Sequence, residues 1–257
     1  MATIAAPQTI ARGDDRFFLV MAYVMALVVF TGFSFALAMG RSSFAAPPIV
    51  HAHALVFMGW VVLYVTQNML VARGATALHR RLGWIAAGWV VAMVVLGTLV
   101  TIRLVQLGHA PFFFLPVQFL VFDPLLLFTF AGLTAAAIVL RRATQWHRRL
   151  HYSGMALLLG PALGRLLPMP LLAPYAYEVD FLAVMVFPLI GIVADIRRSG
   201  KVHPAWWWGT GAIVGSTLLV ELITFSALGA SLYAMVVAGT PGAAVAGYAF
   251  PPPPVMP

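Results

Sequence analysis

The sequence predicts an all-α polytopic membrane protein of seven transmembrane helices, and three observations carry that prediction. Hydrophobic residues fill 62% of the 257 positions, against roughly 45–50% in ordinary soluble domains. Charged residues make up only 9%, where soluble domains carry about 25%. The apolar residues also gather into seven stretches of the length needed to cross a hydrocarbon core, about 20 residues each. A water-soluble globular domain, a disordered chain and a disulfide scaffold are excluded on these grounds. The net charge of +8 is then not a nucleic-acid footprint. Its natural partner is the lipid bilayer, whose anionic headgroups attract basic loops.

In order, the stretches are 17–39, 49–71, 82–105, 112–140, 151–172, 179–195 and 205–237. The first ends in Ala36-Leu37-Ala38, which looks like a cleavage site. Its apolar run is too long for a secretion signal, and Asp14 and Asp15 stand where such a signal carries only positive charge. It reads as a helix. The fifth stretch is interrupted by Pro161, Pro168 and Pro170, and the seventh is longer than one crossing requires. Residues 1–239 form one transmembrane domain. Residues 240–257, with Pro251 to Pro254 in a row, read as a short extended tail.

The cations set the topology. Twelve of the 15 lie before the first stretch or in the loops after the second, fourth and sixth; Arg41, Arg103 and Arg165 lie elsewhere. By the positive-inside rule that face is cytoplasmic. The expected location is a bacterial-type inner membrane, with the N-terminus cytoplasmic and the C-terminus periplasmic. Cysteine is absent, which excludes disulfides, thiolate metal sites and cysteine nucleophiles. Lysine occurs only at Lys201, in a loop, so no intramembrane lysine exists to hold retinal.

Two basic loops repeat. Ala75-Thr76-Ala77-Leu78-His79-Arg80-Arg81-Leu82 and Ala143-Thr144-Gln145-Trp146-His147-Arg148-Arg149-Leu150 share six of eight residues, 68 positions apart. A weaker third copy begins at Lys201-Val202-His203. Parallel hairpin repeats of helices 2–3, 4–5 and 6–7 follow from this, with helix 1 added. Interfacial histidine and arginine routinely sit at headgroup level with their stems snorkelling. A second use is cofactor binding. His79 and His147 begin separate helices at equal depth, and His151 lies one turn beyond His147. Paired imidazoles ligate haem iron, with Arg80 and Arg148 placed to pair with propionates.

A polar layer emerges when depth is counted from the basic loops at about 1.5 Å per residue. His53, Asp123 and Asp180 lie roughly 25–30 Å up their helices, and His51 and Glu178 slightly further out. Arg165 and Glu221, each 15 residues into an odd-numbered helix, match at roughly 22 Å and are expected to form an intramembrane ion pair. The layer is either this pair beside a wet outer boundary or a cavity open to the periplasm. In the second case His51, His53, Asp123, Glu178 and Asp180 are candidate metal ligands, since imidazole with carboxylate suits zinc, iron or copper(II). Helix 2 carries a stripe of His53, Phe57, Trp60, Tyr64 and Gln67, flanked by Asn68, at heptad-like spacing. Its amides need partners in hydrocarbon.

The residues His51-Ala52-His53, Gly59-Trp60, Gln67 and His79-Arg80-Arg81-Leu82-Gly83-Trp84 resemble uncharacterised bacterial multi-helix membrane proteins. Those proteins carry an H-x-H, a mid-helix glutamine and an H-R-x-L-G loop. The opening His-Ala-His is also similar to that of haem- and copper-containing nitric-oxide-response membrane proteins. These resemblances imply a small-ligand or redox-centre role, with no defined reaction. Paired-histidine di-haem cytochromes place two histidines in each of two helices, whereas helix 4 here has none.

The expectation is therefore an inner-membrane protein that binds a divalent transition metal or haem near its periplasmic side, in a redox or metal-handling role. A proton-coupled small-solute transporter using an Arg165, Glu221 and Asp123 relay is the alternative, and an accessory subunit without cofactor is a third. No nucleophile motif, phosphate loop or zinc-protease pattern points to a hydrolase.

Overall fold

A computed structural model describes residues 12–42 and 44–252. The first eleven residues, Ser43 and residues 253–257 lie outside it. The expected cytoplasmic N-terminus and the last two of the four consecutive prolines fall among these. The described residues are all-helical, without a strand. Their α-helices are α1 (Arg12–Ala38), α2 (Pro48–Ala72), α3 (Thr76–Gln106), α4 (Pro116–Val139), α5 (Thr144–Leu157), α6 (Gly160–Leu166), α7 (Met169–Leu172), α8 (Ala176–Ser199), α9 (Pro204–Thr224) and α10 (Ala227–Val237). Five of them, α1 to α4 and α8, are long and apolar enough to cross a membrane. The pair α9–α10 makes a sixth if taken as one span bent by 74°.

Local chemistry explains where these helices start and stop. Proline opens α2, α4 and α9 at Pro48, Pro116 and Pro204, where a missing N–H costs nothing. Gly200 ends α8 at φ 67°, its N–H donating to the Ile196 carbonyl at 2.9 Å, in the left-handed conformation that only glycine adopts cheaply. Many large apolar side chains face outward, among them Leu27, Leu55, Val91, Leu182, Leu218 and Met235. In water such a surface would be an aggregation liability; in a bilayer it is the solvated face.

The two stretches read as irregular, the fifth for its prolines and the seventh for its length, are both broken. The fifth stretch is divided into α5, α6 and α7, because Pro161 has no N–H to continue the ladder and Pro168 and Pro170 interrupt it again. In the seventh, the Ser226 hydroxyl bonds the Ile223 carbonyl at 2.8 Å and accepts from the Gly229 N–H at 3.4 Å. That serine caps α10 and ends α9. The segment after Thr240 also differs from an extended tail. It forms a 3-10 turn at Pro241–Ala244, Val117 N–H donates to the Gly247 carbonyl at 3.2 Å, and the Tyr248 hydroxyl donates to the Thr224 carbonyl at 2.8 Å. The tail is tied onto α4 and α9.

Helix α4 occupies the centre, packed by α3, α5, α9 and α10, while α1 lies on α2 and α6. Close approach relies on glycine. A Cβ at Gly191 would stand 2.1 Å from the Trp206 ring, so only a bare backbone lets α8 meet α9 there.

The basic ends of the helices share one polar network. Arg149 grips Asp195 through both carboxylate oxygens, at 2.9 and 2.6 Å. The Trp206 indole N–H donates to the same carboxylate at 2.8 Å, and Arg198 at 3.0 Å. Arg198 also pairs with Asp14 at 3.0 Å, and Arg148 with Asp15 at 3.2 Å. Arg149, Asp195 and Trp206 are all at most 4% exposed. This network ties the starts of α1, α5 and α9 to the end of α8.

His203 caps α9 just outside the spans: its Nδ1 accepts from Ala205 N–H at 3.1 Å. Burial, with the nearby Arg149 guanidinium, holds its pKa below the ordinary imidazole value, Asp195 opposing. The cap needs an unprotonated Nδ1. The unfolded chain therefore takes up this proton more readily than the folded one, and stability falls as pH drops below the ordinary imidazole range. His203→Ser, which keeps a cap without a titrating ring, is expected to flatten that part of the curve of thermal midpoint against pH.

Candidate functional site

The break in the fifth stretch positions the most unusual side chain of the molecule. Asp180, on the first turns of α8, is 5% exposed, and its Oδ1 has no hydrogen-bond partner among the described residues. It faces Gly160 at the start of α6: a Cβ there would stand 2.7 Å from Asp180 Oδ2. The carboxylate thus lies against bare backbone at the break. Broken helices are tolerated at membrane depth where they are enclosed by protein or line a cavity. Here a cavity of about 30 Å3 adjoins Asp180, lined by Phe122, Tyr177, Phe181, Ser216 and Thr217 among others.

Around it lie other groups of the expected polar layer. Asp123 accepts from the Thr101 hydroxyl at 3.1 Å, and it interacts electrostatically with both Asp180 and Arg165. Arg165 also lies within electrostatic reach of His53, whose ring packs on Phe57 at 4.1 Å. His53, Asp123, Arg165 and Asp180 therefore share one half of the bundle. His51 stands apart, its Nε2 bonded to the Phe44 carbonyl at 3.2 Å, and Glu178 is exposed.

Two sequence expectations meet a different geometry. Arg165 and Glu221 do not pair. Arg165 donates to the Pro161 carbonyl at 2.6 Å and lies 4.1 Å above the Phe33 ring, while Glu221 accepts from Gln118 at 2.7 Å. The cause is the helix break. It swings α6 onto α1, so closely that a Cβ at Gly32 would stand 2.4 Å from the Ala162 carbonyl, and so turns Arg165 away from α9. The second concerns the metal set of His51, His53, Asp123, Glu178 and Asp180. Among the described residues no three His, Asp or Glu side chains are grouped to hold a metal ion.

The helix-2 stripe faces inward: Trp60 and Tyr64 are buried, whereas Leu55 and Val62 on the other side are exposed. Trp60 packs edge-on against Phe130 at 5.1 Å. Asn68 donates to the Tyr64 carbonyl at 2.9 Å, and Gln67 Oε1 is buried without a partner among the described residues. Near the basic end, His79 and His147 approach with ring centroids 6.1 Å apart, and His151 lies 4.7 Å from His147. His147 Nδ1 bonds the Ala137 carbonyl at 2.8 Å, whereas His79 Nδ1 is buried without a partner among the described residues. Of the two arginines expected to assist a haem, Arg148 is engaged by Asp14 and Asp15, and Arg80 is exposed.

Sequence reasoning missed Asp195, Gln118, Thr101 and Tyr177. Asp195 closes the stretch 179–195, two residues before Arg197-Arg198, and was given no role. Its one available signal was its place within the last turns of an apolar helix, where a lone acid needs a cation. Comparison with family models, curated proteins and solved structures finds no match to this chain.

Proposed function

We propose that the protein is a multi-pass inner-membrane carrier that couples the movement of a small solute to protons through Asp180 and Asp123. In this reading α5 to α7 form one interrupted span and α9–α10 one bent span. Seven crossings then place the basic ends in the cytoplasm by the positive-inside rule and the Asp180 cavity toward the periplasm. The observation that carries the reading is the buried carboxylate of Asp180, with an unbonded oxygen, at a break in a helix. A carboxylate at membrane depth is costly unless it meets a proton, a cation or a donor, and interrupted spans commonly frame substrate sites in secondary transporters. Asp123 adds a second acid close by, with Arg165 and His53 supporting the charge balance.

Uptake by proteoliposomes under an imposed pH gradient tests the proposal. Methylammonium, glycine, acetate and glucose serve as probes of four solute classes. At least one is expected to accumulate in a gradient-dependent way faster than in protein-free vesicles, which take up the neutral forms of methylamine and acetic acid on their own; uptake at the level of protein-free vesicles for all four contradicts the carrier.

A second reading rests on the histidines near the basic end. His79 and His147 come from separate helices, and His147 Nδ1 bonds the Ala137 carbonyl, the arrangement that orients histidine ligands. With ring centroids 6.1 Å apart, these two imidazoles would be the residues to hold a haem iron, which would supply redox chemistry. Purified protein would then show a Soret band that His147→Ala removes, and a colourless preparation free of iron contradicts it.

A further inference from the structure

We infer that the cavity beside Asp180 is a binding site for a small ammonium cation no larger than methylammonium; the assignment names the substrate class for the carrier proposed above and rests on that reading. Three features converge on a cation. First, Asp180 brings a buried oxygen that no group among the described residues satisfies. Second, the aliphatic hydroxyls of the lining are committed as donors elsewhere. Ser216 donates to the Ile213 carbonyl at 2.8 Å, and Thr217 to the same carbonyl at 3.0 Å. What Ser216 and Thr217 offer a ligand is therefore acceptor oxygens. Third, Phe122, Tyr177 and Phe181 present aromatic rings, whose faces attract cations.

The surrounding charge agrees. Asp123, Glu178 and Glu221 all lie within electrostatic reach of Asp180 or Tyr177. Arg165, the cation on the neighbouring helix, is spent on the Pro161 carbonyl and the Phe33 ring. An anion would meet no free donor from Ser216, Thr217 or Arg165 here.

Size and lining then choose among cations. A water-sized particle needs about 10–15 Å3 of such space, so about 30 Å3 admits roughly two non-hydrogen atoms. Methylammonium fits and tetramethylammonium does not. A hard metal cation wants a shell of some six oxygens, which Asp180, Ser216, Thr217 and Tyr177, set beside Phe122, Phe181 and five aliphatic residues, cannot supply. An ammonium group asks for only a few acceptors and accepts ring faces for the rest.

Equilibrium binding of radiolabelled methylammonium to the purified full-length protein in detergent tests the site. Saturable binding of one per chain is expected, displaced by ammonium but not by tetramethylammonium. Asp180→Asn should weaken it at least tenfold, Ser216→Ala should weaken it less, and Arg142→Gln at the opposite end should leave it unchanged. No saturable binding to the unsubstituted protein overturns the inference without reference to any variant, as does equal displacement by tetramethylammonium. The vesicle assay separates the two claims. Methylammonium bound but no probe carried with the pH gradient leaves the site standing and removes the carrier; gradient-driven uptake of another probe without methylammonium binding does the reverse.

Discussion

Asp195→Ala will destabilise the folded protein by about 3–5 kcal/mol, the cost of leaving a buried cation without its partner. Arg149 is 4% exposed and has its guanidinium committed to Asp195 through two bonds. Removing the carboxylate also orphans the Trp206 indole, which is fully buried, and an unsatisfied buried donor costs about 1–3 kcal/mol. Arg198 would keep Asp14 and loses less. The pair itself is not what stabilises the fold: taking both charges out together is often neutral. Arg149→Met combined with Asp195→Leu should therefore lie closer to the unsubstituted protein than either single change, short of it by the cost of the orphaned indole. Thermal or denaturant unfolding in detergent reads this directly. An Asp195→Ala protein with an unshifted transition would mean that the network does not join the helices as described.

Asp180→Asn should leave the fold in place and reduce proton-linked uptake to the level of protein-free vesicles. The amide is nearly the same shape as the carboxyl, so the approach to Gly160 survives. What it loses is the ability to exchange a proton for a cation. Asp180→Glu separates charge from shape, since an extra methylene must find room where a glycine Cβ already would not fit; reduced but pH-dependent uptake is expected. Uptake unchanged in Asp180→Asn would remove this residue from the coupling.

Much of the fold was legible. The long apolar stretches are helices, prolines open three of them, and the clustered arginines do share one end. Depth was legible too, because position along a helix is a count of residues: His53, Asp123 and Asp180 do lie in one half of the bundle. What the sequence hid was continuity and rotation. Counting Arg165 inward from Leu150 assumed an unbroken helix, and the break before Gly160 invalidates both its depth and its direction. Pairing by equal depth with Glu221 failed for that reason, and Gln118 took the carboxylate instead. The prolines of the fifth stretch and the excess length of the seventh signalled that both were irregular but not which way each piece would turn; that is set by contacts such as Gly32 against Ala162, between residues 130 positions apart. The two identical His-Arg-Arg loops make the same point. Arg149 is buried in an ion pair, while its counterpart Arg81 is exposed, because only the second copy faces an acid on α8.

The absence of cysteine makes the central claim directly measurable. A Ser216→Cys protein carries one thiol, on the wall of the Asp180 cavity, with no background from the rest of the chain. If the cavity alternates between the two sides, Ag+, a single thiol-reactive ion small enough for a cavity of about 30 Å3, will label that thiol when added outside both right-side-out and inverted vesicles, with opposite responses to the direction of the pH gradient. Labelling from neither side, or from one side regardless of the gradient, would contradict a carrier.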